Sequence, residues 1–186
     1  MLVKKLITLA GALGILACGA CFLPALLDRQ PPPPLIPAMQ SIKTIAVVAT
    51  NSSSTHYIDT DRLETAIAKE INRRHGDTKI RAQVGAATGP ADATLSVNIR
   101  EESATAIPGK SLGTMLWNFE PRVSATLTRA DGQILWEEKE QVEKITQSIK
   151  ATDDETEAWR QFSKSEWALF LILGQDHLDQ IFYGRR

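Results

Sequence analysis

"ADATLSVNIR", residues 91 to 100, decides the fold. Ala91, Ala93, Leu95, Val97 and Ile99 alternate with Asp92, Thr94, Ser96, Asn98 and Arg100. A period of two sends the sets to opposite sides of an extended chain, giving a strand with one dry and one wet face. Arg122 to Arg129 repeats the pattern, with Val123, Ala125 and Leu127 inward. Asp131-Gly132 then marks a tight hairpin. The strand that follows, from Gln133 to about Thr146 with Ile134, Leu135 and Trp136, is therefore expected to return antiparallel to its predecessor. The outward set, Thr94, Ser96, Asn98, Ser124 and Thr126, is left to meet solvent or a partner.

Upstream of this core, "KTIAVVAT" (43–50) is a short β-branched run and reads as a buried strand. Asn51 to Thr55 is a polar loop. A helix is expected from about Asp61 to His75, with Leu63, Ala66, Ile67 and Ile71 on one face. Asp61 and Glu64 have capping-box spacing, Thr60 is the other candidate cap, and Gly76 is the expected left-handed stop. Lys79 to Val84 reads as a strand and Gly85 to Pro90 as a loop. Glu101 to Gly113, which contains Pro108 and Gly109, reads as a looser segment. The tail predicts one long helix from Asp153 to Phe182, with acids at its start and Arg185 and Arg186 after its end, as the helix dipole favours. Its block Ala168 to Leu173 is apolar on all sides and far too short to cross a bilayer, so burial is expected. Contact with a partner protein or a membrane surface is the alternative. The order β-α-β-β-β-β-α predicts an α+β fold: a mostly antiparallel sheet of four to five strands with two helices packed on one face.

The N-terminal part reads as an export or anchoring device. Lys4 and Lys5 precede a run without formal charge from Leu6 to Leu27, about long enough to span a bilayer. The lysines should stay cytoplasmic, with Asp28 and the rest outside. Ile15-Leu16-Ala17-Cys18 resembles a lipobox, and Cys18-Gly19-Ala20 has the small-x-small spacing of a signal peptidase site that leaves Cys21 first. Cys18 and Cys21 are thus the candidate lipidation residues. The sequence stays apolar through Phe22, Leu23 and Leu27, which keeps an uncleaved helix open. Metal binding needs more ligands than two thiols, and a redox motif belongs at a strand-helix junction. Pro31 to Pro34 form a stiff spacer. The expected organisation is a signal or transmembrane anchor over 1–27, a Pro-rich spacer over 28–40 and a single α+β periplasmic domain over 41–186. The domain has no cysteine, so its core alone must hold it.

Function classes narrow from composition and motifs. Twenty-one Lys and Arg nearly balance 22 Asp and Glu, which argues against nucleic acid and against a polybasic membrane clamp. His56, His75 and His177 have no second histidine at helical spacing. Gly109-Lys110-Ser111 resembles the end of a P-loop, but Ala104 stands where the first glycine belongs. No Gly-x-Ser-x-Gly elbow occurs, and the adjacent acid pairs do not make a general acid and base. The loop from Asn51 to His56 is the one candidate holder of a small ligand. No catalytic, cofactor or metal residue is assigned, and the expectation is a protein that is not an enzyme.

The sequence of features, "IKTIAVVAT", "LETAIAKEI", "ADATLSVNIREE", "VSATLTRADGQILWEEK" and "HLDQIF", resembles the small envelope lipoproteins of Gram-negative bacteria. The nearest are the lipopolysaccharide-assembly lipoprotein family and the auxiliary lipoproteins of ABC-type lipid transporters. "ADATLSV" looks like their second-strand signature and "RADGQILWE" like their hairpin. The resemblance implies a non-catalytic, membrane-tethered accessory protein of an envelope-assembly or lipid-transport complex. Its expected partner is a barrel or transporter protein, with membrane contact through the N-terminus and room for a lipid ligand. A regulatory lipoprotein touching a cell-wall synthase or secretion channel is the alternative, and a membrane-anchored enzyme the second alternative.

Overall fold

The computed structural model describes residues 33–85, 90–111 and 113–184. Cys18 and Cys21, the charge-free run and the first part of the proline spacer, through residue 32, lie outside the described residues. Contacts separate Met1–Pro34 from a compact unit, Leu35–Arg186. That unit takes in residues read from sequence as spacer. Met39 is fully buried, and the Ile36 amide donates to the Phe182 carbonyl at 3.0 Å.

The unit is α+β. Six strands form one sheet: β1 (Thr44–Asn51), β2 (Arg81–Val84), β3 (Ala93–Ser111), β4 (Thr114–Arg129), β5 (Ile134–Val142) and β6 (Ile145–Lys150). Four helices accompany it: α1 (Thr60–Arg74), α2 (Glu155–Ser163), α3 (Glu166–Leu173) and α4 (Gln175–Tyr183). The order across the sheet is β2-β1-β3-β4-β5, with β6 also paired to β4. β1 runs parallel to both β2 and β3, whereas the pairings of β4 with β3, β5 and β6 are antiparallel. The sheet is therefore mixed.

The alternation sets the register as expected. Leu95 faces Leu127 and Val97 faces Ala125 on the buried side, while Ser96 faces Thr126 and Asn98 faces Ser124 on the other. A one-residue slip would turn every apolar side chain to water. On the dry side Phe119 is fully buried, with the rings of Phe162 at 4.5 Å and Trp159 at 5.0 Å.

Several sequence expectations change. The segment from Glu101 is not loose; it continues β3 to Ser111, and Pro108 falls where the ladder has slipped between Ala106 and Lys110. Proline has no N–H to give, so a register shift is where a strand tolerates it. The return strand is two strands, β5 and β6. The Glu143 amide between them bonds the Pro121 carbonyl, and each strand takes half of β4.

The long tail helix is three helices. Ser165 caps α3 by accepting from the Ala168 amide, and Gly174 (φ 80°) separates α3 from α4. Unbroken apolar composition hides these breaks, because a cap and a glycine act locally whatever surrounds them. Block 168–173 is buried except for the half-buried Leu171.

At α1 the cap is Asp59, which accepts from the amides of Asp61 and Arg62. Glu64 forms no capping box; it is buried and accepts the Ala49 amide at 2.8 Å. β2 stops opposite Val47, so Glu64 supplies the acceptor that a longer β2 would have given. Gly76 is not the left-handed stop. His75 caps the helix, a 3₁₀ turn spans Gly76–Thr78, and the left-handed residue is Lys79 (φ 64°). Among the described residues no helix is long and apolar enough to cross a membrane.

Candidate functional site

The loop after β1 does form one wall of a groove. β1 lies between two parallel neighbours: the chain goes from β1 to β2 on one side and then from β2 to β3 on the other. Such a reversal opens a crevice beyond the strand's carboxyl end. The groove there holds about 570 Å3, with Ser52 to Thr55 and Tyr57 on one wall. Arg100, Glu101 and Glu102 of β3 and Glu155, Thr156 and Trp159 of α2 complete it.

Glu101 organises the site. A bulge follows it, so that Glu101 pairs with Pro121 but Ser103 with Glu120. One carboxylate oxygen accepts from the Ile58 amide (2.7 Å) and from Asn51 Nδ2 (3.0 Å), and the other accepts from the Thr55 hydroxyl (2.5 Å). Its own amide donates to the buried Ser53 Oγ at 2.6 Å. One side chain thus fastens the whole loop to the sheet. Glu155 accepts the Ala104 amide, and the hydroxyls of Tyr57 and Thr156 lie 3.1 Å apart.

Glu102, the residue at the bulge, also lines the groove, beside Arg100. Arg100 and Arg122 stand directly across the ladder from each other, a repulsive arrangement by itself. Glu102 accepts from both, at 2.8 and 2.9 Å. Those bonds, Arg122 first, hold its carboxyl below the usual range.

The groove can position a polar group by hydrogen bonds. Its carboxylates already accept protein donors, and among the described residues lining it there is no histidine or cysteine. It offers little apolar wall for an acyl chain, since Trp159 is itself buried.

The histidines are dispersed. His56 sits in the loop with φ 50°. His75 caps α1, is buried, stacks on Phe182 at 3.9 Å and shares a hydrogen bond with the Tyr183 hydroxyl at 2.9 Å. His177 lies beneath β5, its Nδ1 against the Leu173 carbonyl and its Nε2 3.1 Å from Gln141 and 3.7 Å from Glu138. Beside it, burial pushes the Glu143 carboxyl up, with Glu138 and Asp176 adding repulsion against the opposing pull of His177. Among the described residues no group of three or more His, Cys, Asp or Glu side chains is placed to hold a metal ion.

The lipidation candidates Cys18 and Cys21 lie outside the described residues, so the structure places neither. In the sequence Glu101 stands out as half of the adjacent acid pair Glu101-Glu102, to which no role is assigned. Its other signal is its position as the first residue after the alternation of 91–100, where a strand leaves its own pattern.

No family model matches the sequence, and no curated protein matches it either. Among solved structures, the chain is similar to protein XCC0632 from Xanthomonas campestris. Identity is 15%, coverage is 84% of this chain and 88% of that one, and the TM-score is 0.44. It is similar also to a minor lipoprotein from Acinetobacter baumannii, at 9% identity, with 75% and 93% of the two chains covered and a TM-score of 0.43. PelC from Paraburkholderia phytofirmans, crystallised as a dodecamer, shows 14% identity, 78% and 95% coverage and a TM-score of 0.40. Likeness this distant leaves the functional reading to the chain's own residues.

Proposed function

We propose that the chain is a membrane-tethered, non-catalytic accessory protein of a bacterial cell envelope, carried as a lipoprotein and serving an assembly or lipid-transport complex. The carrying observation is the charge-free run from Leu6 to Leu27 behind Lys4 and Lys5, with Cys18 and Cys21 inside it and prolines after it. Such a run partitions into a bilayer, and an acylated cysteine adds a second hold. The groove chemistry supports a binding role: its carboxylates hold the fold together instead of standing poised for proton transfer.

Mass spectrometry of the membrane-extracted protein tests the tether. The expected product is a diacylglyceryl-modified N-terminal cysteine. An intact Met1 eliminates lipoprotein processing and leaves a bitopic anchor. A carboxyl-terminal reporter that stays active only in the cytosol sinks both.

A further inference from the structure

We propose that the outer surface of α1 and α3 docks flat on an anionic bilayer, with Trp167 seated among the headgroups. The inference rests on the tether reading above. Trp167 is a large side chain left 53% exposed, on a helix that buries five of its eight residues. Tryptophan pairs an apolar body with a polar N–H, and it settles at membrane interfaces for that reason. The half-buried Leu171 follows it one turn on.

The neighbouring face of α1 supplies charge. Its exposed stripe, at spacings of three and four, is Arg62, Thr65, Lys69 and Arg73. Lys69 and Arg73 keep 65% and 61% of their side chains in solvent. Exposed Lys164 is tied alongside, its carbonyl accepting from Arg62 at 2.8 Å. Arg74 lies 5.4 Å over the Phe170 ring, and that ring is 5.5 Å from Trp167, which joins the charged stripe to the indole. The acids Glu70 and Glu166 on this surface are paired with its cations, which keep much of their side chains in solvent at Lys69 and Arg73. Glu166 pairs with Lys69, Glu70 is buried and shared by Arg73 and Arg74, and Asp61 sits at the first turn of α1. Arg62, Lys69, Arg73, Arg74 and Lys164 outnumber Asp59, Asp61, Glu70 and Glu166 by one, and Lys69 and Arg73 carry their charge into solvent.

The occupant follows from charge and connectivity. Anionic headgroups attract each nearby Lys or Arg by about 1 kcal/mol, roughly fivefold in binding. The chain enters the folded unit at Leu35 behind the charge-free run, and Ile36 bonds Phe182, whose ring stacks on His75 at the end of α1. A bilayer is thus the large anionic surface that this chain's own N-terminal part brings within reach.

The full chain is reconstituted with vesicles of phosphatidylcholine, alone or mixed with phosphatidylglycerol, each with brominated acyl chains that quench tryptophan. Quenching is expected in the anionic vesicles and not in the neutral ones. Trp167→Phe should remove that difference, since Trp117 and Trp159 are buried and Trp136 is half-buried against His177. Lys69→Gln with Arg73→Gln should raise the phosphatidylglycerol fraction needed for half-quenching by at least about twofold, and molar salt should abolish the effect. Equal quenching in both vesicle types, or quenching that survives Trp167→Phe, overturns the proposal. Sedimentation separates the two ideas. A chain that pellets with both vesicle types while Trp167 stays bright loses the docking surface and keeps the tether. One that pellets only with anionic vesicles, with Trp167 quenched, loses the tether and keeps the surface. A chain found in neither pellet loses both.

Discussion

Phe119 and Thr126 belong to one strand, β4, and face opposite sides of one sheet. Phe119 is fully buried among Trp117, Trp159 and Phe162, where neighbours fix its volume and orientation. Thr126 lies between Ser96 and Glu137 on a face that no helix covers among the described residues, and stays partly exposed. The same backbone ladder supports both. What differs is whether a side chain has close-packed atoms or water beyond it. The dry face carries the stability, and the wet face is free to be altered by whatever the protein meets.

The largest expected effect tests that contrast directly. Phe119→Ala should cost about 3–5 kcal/mol, because the ring's contacts vanish and the pocket cannot close. Thr126→Ala should stay within about 0.5 kcal/mol. Urea unfolding measures both, and comparable losses would break the distinction between the faces.

An intermediate effect belongs to the groove, where polar bonds replace packing. Glu101→Ala removes an acceptor shared by three donors and should cost about 2–3 kcal/mol. Hydrogen exchange should show the Ile58 amide losing protection while Val97 and Leu127 keep theirs. A uniform loss across the sheet would mean that Glu101 supports the core and not the loop.

The smallest effects are electrostatic and opposite in sign. Hydrogen bonds from Arg73, then Arg74, against the cost of burial, hold the Glu70 carboxyl down to about 2. Its folded-state value is depressed, so its contribution is complete above the ordinary carboxylate range and is lost as pH falls through about 2. Solvent around Arg73 limits this to about 1–2 kcal/mol. Glu143 is raised by burial, so it favours the folded state at low pH, and that benefit disappears as pH rises through its folded-state value. Glu70→Gln should therefore flatten the acid side of the stability profile, and Glu143→Gln should lift the neutral side. Matching profiles for the two variants would refute the assigned environments.

Periodicity by itself determined the alternating faces of β3 and β4, the Asp131-Gly132 hairpin and the existence of α1, since these depend on residues a few positions apart. The charge-free N-terminal run is equally local, and its reading needs no fold. Tertiary structure decided the rest. Whether β1 lies parallel between β2 and β3 depends on pairings some fifty residues apart, such as Val97 with Ala49. No spacing rule reaches that far. The breaks at Ser165 and Gly174 were written in residue type, yet an apolar run obscured them until the helices had separate surfaces to cover. Glu101 and Glu64 show the same limit from the polar side. A carboxylate's role is set by which unpaired amides the fold leaves within hydrogen-bonding distance, and those amides exist only once the sheet is assembled.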